Sequence, residues 1–154
     1  MKRIFCVALF VTACITTPAV AAGLSSGVAL ALIQPTGDFD DAYDTGWGIH
    51  AAFDYSLIPL ITLTGDFGWN TFQGQEIGDT GIKLDDVDIW EFSAGGKVNL
   101  AFLYAGAEVG YFTNVKEWDI IPFLGARLGP FDAMLRFKAA GDVNWAALRL
   151  GFFF

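Results

Sequence analysis

The chain has 154 residues, 54% of them hydrophobic and 16% aromatic, and a formal net charge of −8. So acidic a balance excludes a nucleic-acid partner, because binding phosphate needs clustered basic residues. Beyond residue 22 there is no charge-free run of the 18 or more strongly apolar residues that a transmembrane helix requires, so the hydrophobicity must be spread in another way.

Residues 1–22 have the three-part order of a secretory signal: Lys2 and Arg3, the apolar run Ile4 to Ala13, then small residues from Thr16 onward. Cleavage after Ala21 or after Ala22 satisfies the small-x-small rule equally well, and both readings stand. Val11-Thr12-Ala13-Cys14 also resembles a lipobox, in which Cys14 would carry lipid, although the apolar run ahead of it is short. Cys6 and Cys14 are the chain's two cysteines, so ordinary cleavage leaves a single domain over 23–154 with no disulfide framework. That domain keeps seven Lys/Arg against seventeen Asp/Glu, a net of −10.

The domain alternates with period two, the signature of strands with one apolar and one polar or small face. The first strand sets Val28, Leu30 and Leu32 against Gly27, Ala29 and Ala31. The second, Gly46 to Tyr55, sets Trp47, Ile49, Ala51, Phe53 and Tyr55 against Gly46, Gly48, His50, Ala52 and Asp54. The third, Ile61 to Phe72, opposes Ile61, Leu63, Phe67 and Trp69 to Thr62, Thr64, Asp66 and Asn70. From Trp90 the fourth opposes Trp90, Phe92, Val98 and Leu100 to Glu91, Ser93, Lys97 and Asn99. The fifth runs from Leu103 to Tyr111 with Tyr104 and Glu108 on its polar side, and the sixth from Pro122 to Gly129 with Arg127. The seventh, Ala133 to Ala140, carries Arg136 and Lys138, and the eighth, ending at Phe154, carries Arg149.

Eight alternating strands predict an all-β fold, an eight-stranded antiparallel up-and-down transmembrane β-barrel. In a water-soluble sandwich the polar face would be dense in Lys, Glu and Thr. Here it is sparse, mostly Gly and Ala with single ionisable groups, which suits the narrow interior of an eight-stranded tube. Parity sends Asp54, Asp66, Glu91 and Glu108 inward together with Lys97, Arg127, Arg136, Lys138 and Arg149, with His50 beside Asp54. Buried charges persist only when paired, so the interior is expected to be a salt-bridged polar core and not an open water channel.

The connections fall into two classes. Pro35 to Thr45, Gln73 to Val87, Val115 to Asp119 and Gly141 to Asn144 form one end; Ser56 to Leu60, Leu100 to Phe102 and Pro130 to Asp132 form the other, all short. Long loops face outward in such barrels, which puts both termini in the periplasm. Trp47, Trp69, Trp90 and Tyr111 share the lipid-facing parity near the long-loop end and read as an aromatic girdle. Tyr55, Phe131 and Phe154 are candidates for a second belt, and Trp118, placed in the third loop, for an interface aromatic.

This pattern over Leu24 to Phe154 resembles the small outer-membrane β-barrel domain family that includes OmpX, OmpW and the OmpA membrane domain. Its most specific piece is the C-terminal strand Trp145 to Phe154, where Leu150, Phe152 and the terminal Phe154 resemble the signal read by the outer-membrane assembly machinery. Pro35-Thr36-Gly37-Asp38-Phe39, followed by Gly46-Trp47-Gly48, is similar to the first loop and second strand of family members. The resemblance implies a monomer in the cell outer membrane, without a cofactor, contacting membrane lipid, lipopolysaccharide and the assembly machinery. It implies a structural or surface-interaction role, with porin-like or OmpW-like transport of small or hydrophobic molecules as the alternative.

Two further sets of residues admit a chemical reading. His50 as general base with Ser93 as nucleophile would make an enzyme, but one imidazole inside a salt-bridged core is the simpler account, and the His-x-Ser arrangement of lipid A deacylases is absent from His50-Ala51-Ala52. Asp38, Asp40, Asp41 and Asp44 in the first loop, with Asp79, Asp85, Asp86 and Asp88 in the second, gather carboxylates at the outer rim. They read as a solvated surface or as a weak divalent-cation contact bridging to lipopolysaccharide, and no twelve-residue calcium-loop pattern is present.

Overall fold

The computed structural model describes residues 23–75, 84–138 and 143–154. The expected signal segment, with its alternative cleavage points and Cys14, lies outside them, as do Asp79, Ala139, Ala140 and Gly141.

Eight strands close into one barrel in sequence order, each antiparallel to its neighbours, with the first strand paired to the last. They are β1 (Leu24–Thr36), β2 (Gly46–Ile58), β3 (Ile61–Phe72), β4 (Val87–Leu100), β5 (Leu103–Phe112), β6 (Glu117–Leu128), β7 (Phe131–Lys138) and β8 (Asn144–Phe153). Closure gives every strand a hydrogen-bonded neighbour on both sides, as a sheet inside hydrocarbon requires. Tight turns at 59–60, 101–102 and 129–130 join the strands at one end, here the turn end; connections 37–45, 73–86, 113–116 and 139–143 lie at the other, the loop end.

Burial alternates along the middle of the strands, and its sense decides where this barrel belongs. Along β1 the exposed residues are Val28, Leu30, Leu32 and Gln34, while Ala29, Ala31 and Ile33 are buried. Leu30, Ile49, Leu63, Phe92, Val109, Ile120, Leu124, Leu135 and Leu150 are all exposed, whereas Asp54, Asp66, Glu91, Lys97, Glu108, Arg136, Lys138 and Arg149 are all buried. A wall with its aliphatic and aromatic side chains outside and its charges inside is the inverse of a water-soluble domain and suits a hydrocarbon surround.

The strands outrun their expected limits in several places. β6 begins at Glu117, so Trp118 stands on a strand and not in a loop, opposite Tyr111 on β5 with the rings 5.1 Å apart. The reason is Ile121: it is apolar yet points inward and is fully buried, so it breaks the apolar/polar alternation and hides the strand's first turn from a sequence reading. Likewise Asp132, expected in a turn, is already the second residue of β7 and points into the barrel.

Two glycines let rings lie flat against the inner wall. Gly68 faces His50 across the β2–β3 ladder, and a Cβ there would run into the imidazole. Gly125 does the same for the Tyr104 ring across β5–β6. At both positions the missing side chain is what allows the neighbouring aromatic its place.

Candidate functional site: an ion-paired lumen and its two rims

The lumen is layered along its axis. Nearest the turn end, Asp54 accepts from Lys97 Nζ at 2.6 Å and faces Arg127 Nη1 at 2.7 Å. Arg127 Nε also donates to Asp132 at 3.1 Å, and Asp132 accepts from the Tyr104 hydroxyl at 2.8 Å. The Arg127 guanidinium lies over the Phe153 ring at 3.7 Å, and Lys97 Nζ sits 4.5 Å from the centre of the Tyr104 ring. Each of these cations thus has both a carboxylate and an aromatic face.

The middle layer spans the barrel. Arg136 on β7 places Nη2 at 2.5 Å from Glu91 on β4 and 2.9 Å from Glu108 on β5, and Ser93 Oγ donates to Glu108 at 2.9 Å. Arg149 on β8 donates to Asp66 on β3, whose other oxygen lies 2.5 Å from His50 Nδ1. Asn70 joins the two groups: its Oδ1 faces His50 Nε2 at 3.0 Å and its Nδ2 donates toward Glu91 at 3.4 Å. Among the described residues the Nε atoms of Arg136 and Arg149 and the Thr64 hydroxyl meet no hydrogen-bond partner, chemistry that suits single buried waters.

Above this the interior turns apolar. Ile33, Phe72, Ile89, Phe112, Ile121, Val143 and Trp145 pack into one buried cluster, and Phe39 from the short 3₁₀ turn Gly37–Phe39 folds down into it. Phe39 meets Phe72 edge-on at 5.1 Å and Tyr43 at 4.8 Å. Lys138 sits in this layer, donating to the Val143 carbonyl and to Glu117 at 3.1 Å, with Asp119 at 3.3 Å. Phe39 thus carries the first loop into the loop-end mouth of the lumen.

The inward charges named from the sequence all lie inside, but the pairing differs in one respect. His50 bonds Asp66 and Asn70, and Asp54 goes to Lys97 and Arg127 instead. The reason is geometric: Asp54 is four residues further along β2, toward the turn end, while Asp66 approaches His50 from the neighbouring strand. Sequence reasoning missed Asp132, Asp119 and Glu117 as partners and the apolar layer altogether. Phe72 and Phe112 share the inward parity of Asp66 and Glu108, so carrying the alternation to the strand ends would have placed them.

The pairing of His50 with Ser93 required by a hydrolytic reading is not formed, because Ser93 is bonded to Glu108 and His50 to Asp66 and Asn70. At the loop end, no three His, Cys, Asp or Glu side chains converge to hold a metal among the described residues. Asp40 and Asp44 are instead tied to side chains, Asp40 by Gln34 and Asp44 by Gln75, whose amide also reaches the Asp40 carbonyl. These bonds and the Tyr43–Gly74 bridge knit the first two connections together.

On the outer wall an aromatic band runs from β2 to β6 near the loop end. Trp47 and Trp69 meet edge-on at 5.2 Å, Trp69 is paired opposite Trp90, and Tyr111 stands between Phe92 and Trp118 in register. At the turn end Phe131 and Phe152 pack at 5.6 Å, and Phe154 holds the closing edge by backbone bonds to Ser26 in both directions.

A closed eight-stranded barrel, apolar outside and ion-paired inside, has the fold of the small outer-membrane β-barrels. In the solved structures the chain is similar to the Yersinia pestis outer membrane protein Ail in a phospholipid bilayer nanodisc, at 18% identity and a TM-score of 0.52, over 86% of this chain and 99% of that one. A crystal structure of Ail matches at 17% identity and a TM-score of 0.49, over 86% and 97% of the two chains, and a de novo designed transmembrane β-barrel at 15% and 0.49, over 84% and 95%. The nanodisc match shows the fold. No family model and no curated protein matches the sequence.

Proposed function

We infer that the protein is a monomeric, non-enzymatic barrel of the cell outer membrane whose lumen is closed and whose work is done at its loop-end surface. The observation that carries this is the two-layer seal: a cross-lumen ion network around Arg136 and, above it, the apolar stopper around Phe39 and Phe72. With the interior filled, the surface left for recognition is the loop rim, where Asp38, Asp40, Asp41, Asp44, Asp85, Asp86 and Asp88 give a negative field among the headgroups of lipid and lipopolysaccharide. Leu150, Phe152 and Phe154 form the strand end offered to the assembly machinery.

Purified barrel reconstituted in a planar lipid bilayer tests the reading. A sealed lumen gives no discrete conductance. Stable single-channel steps would replace it with the transport alternative, porin-like or OmpW-like.

A further inference from the structure

The two rims of the barrel differ in kind. At the loop end the outward-facing strand positions become polar: Gln34, Thr36, Thr71, Asp88 and Asn144 follow the last apolar residue of their strands. At the turn end nothing comparable occurs. The three turns read Ser56-Leu57-Ile58-Pro59-Leu60, Leu100-Ala101-Phe102 and Leu128-Gly129-Pro130-Phe131, without one charged residue. Their large side chains are outside, with Leu57, Ile58, Leu60, Leu100, Phe102, Leu128 and Phe131 all more than half exposed.

Turns that stand in water are built from Gly, Pro, Asn, Asp and Ser and are flanked by polar side chains that meet solvent. Here Pro59, Gly129 and Pro130 supply the bends, but the residues beside them are Leu, Ile and Phe, which gain by leaving water. The dimensions say where they go. From Trp47 to Leu57 on β2, and again from Trp90 to Leu100 on β4, ten steps of about 3.3 Å at a tilt of about 40° climb roughly 25 Å, the height of the apolar band of an outer-membrane barrel. With the tryptophans at one interface, the opposite edge of the hydrocarbon falls on the turns themselves. An apolar groove of about 690 Å³, lined by Val28, Leu30, Leu128, Phe131, Leu150 and Phe152, continues the wall down to the same rim.

We propose that the turn rim is a membrane-embedded surface: the three turns are immersed in the phospholipid leaflet at that end, with acyl chains and glycerol backbones covering Leu57, Ile58, Leu60, Phe102 and Phe131. The barrel then protrudes from the bilayer on the loop side alone. This rests on the membrane-spanning reading of the wall and adds where the second boundary of the bilayer lies.

The domain after residue 22 has no cysteine, so single nitroxide labels can be placed cleanly at Leu57→Cys, Leu60→Cys and Phe102→Cys, with Val109→Cys on the mid-wall and Asn114→Cys at the loop end as references. The labelled barrels are refolded into vesicles of phosphatidylethanolamine and phosphatidylglycerol, and collision with oxygen is compared with collision with a water-soluble nickel chelate. Embedded turns resemble Val109, with strong oxygen and weak nickel collision, while Asn114 shows the reverse. Turn labels that behave like Asn114 while Val109 stays protected overturn the proposal and leave the membrane reading standing. Turn labels shielded from both reagents indicate a protein contact and also overturn it. Nickel access at Val109 overturns both. Unlabelled protein gives a second readout: a soluble gadolinium chelate should broaden the amide signals of 113–116 and spare those of Leu57, Ile58, Leu60, Ala101 and Phe102, and equal broadening contradicts the embedding.

Discussion

Arg136 on β7 reaches across the lumen to Glu91 on β4, Nη2 to Oε1 at 2.5 Å, and binds Glu108 on β5 with the same nitrogen at 2.9 Å. None of the three strands is adjacent to all the others, so this cluster is a tie across the barrel and not part of a single ladder.

Removing one member strands the rest. Arg136→Ala leaves two buried carboxylates without their shared cation and should destabilise the barrel by about 3–5 kcal/mol in a urea titration in lipid vesicles. Glu91→Ala should cost a similar amount, and the double variant less than the sum, with a coupling energy on the order of 0.5–3 kcal/mol. Full additivity would mean that the pair acts independently through water.

Gly68 and Gly65 lie three residues apart on β3 and should respond differently to one methyl group. Gly68→Ala drives a Cβ into the His50 ring and should lose about 1–3 kcal/mol, because an overfilled interior must shift side chains or backbone. At Gly65 the nearest atom to an added Cβ is 3.8 Å away, and Gly65→Ala should be close to neutral. Thermal or urea unfolding of the two variants, side by side, separates a packing effect from a general intolerance of alanine.

The stopper should be separable from the ion network. Phe39→Ala empties a buried site against Phe72 and Tyr43, and amide exchange should accelerate over 37–45 and 73–75 while the strands keep their protection. Conductance should stay at zero in that variant, since the Arg136 layer still closes the lumen, and steps should appear when Phe39→Ala is combined with Arg136→Ala. Steps from Phe39→Ala alone would show that the charges do not seal.

The barrel is legible in the sequence because the two-residue period holds through the middle of every strand, and each inward base falls on the parity that places it. What escaped was the change of chemistry along the axis. Ile33, Phe72, Phe112 and Trp145 are inward and apolar, so near the loop end polarity no longer marks the inner face, and only strand parity carried to the ends does. Partner choice was likewise hidden: His50 and Asp54 share a face of β2, but register across β2–β3 brings Asp66 to the imidazole. The pattern fixes which face is inward, but which residues stand opposite one another also depends on turn geometry and on bulges such as the irregularity between Ser56 and Ile58.

The central claim, that hydrocarbon meets one face of every strand and ion pairs fill the other, is tested most directly by side-chain NMR of the barrel in nanodiscs. Some of the lipid should carry a nitroxide at mid-chain. Signals of Leu30, Ile49, Val109 and Leu150 should be broadened, and those of their chain neighbours Ala29, His50, Glu108 and Arg149 spared. Broadening of the second set, or none in the first, would contradict the account.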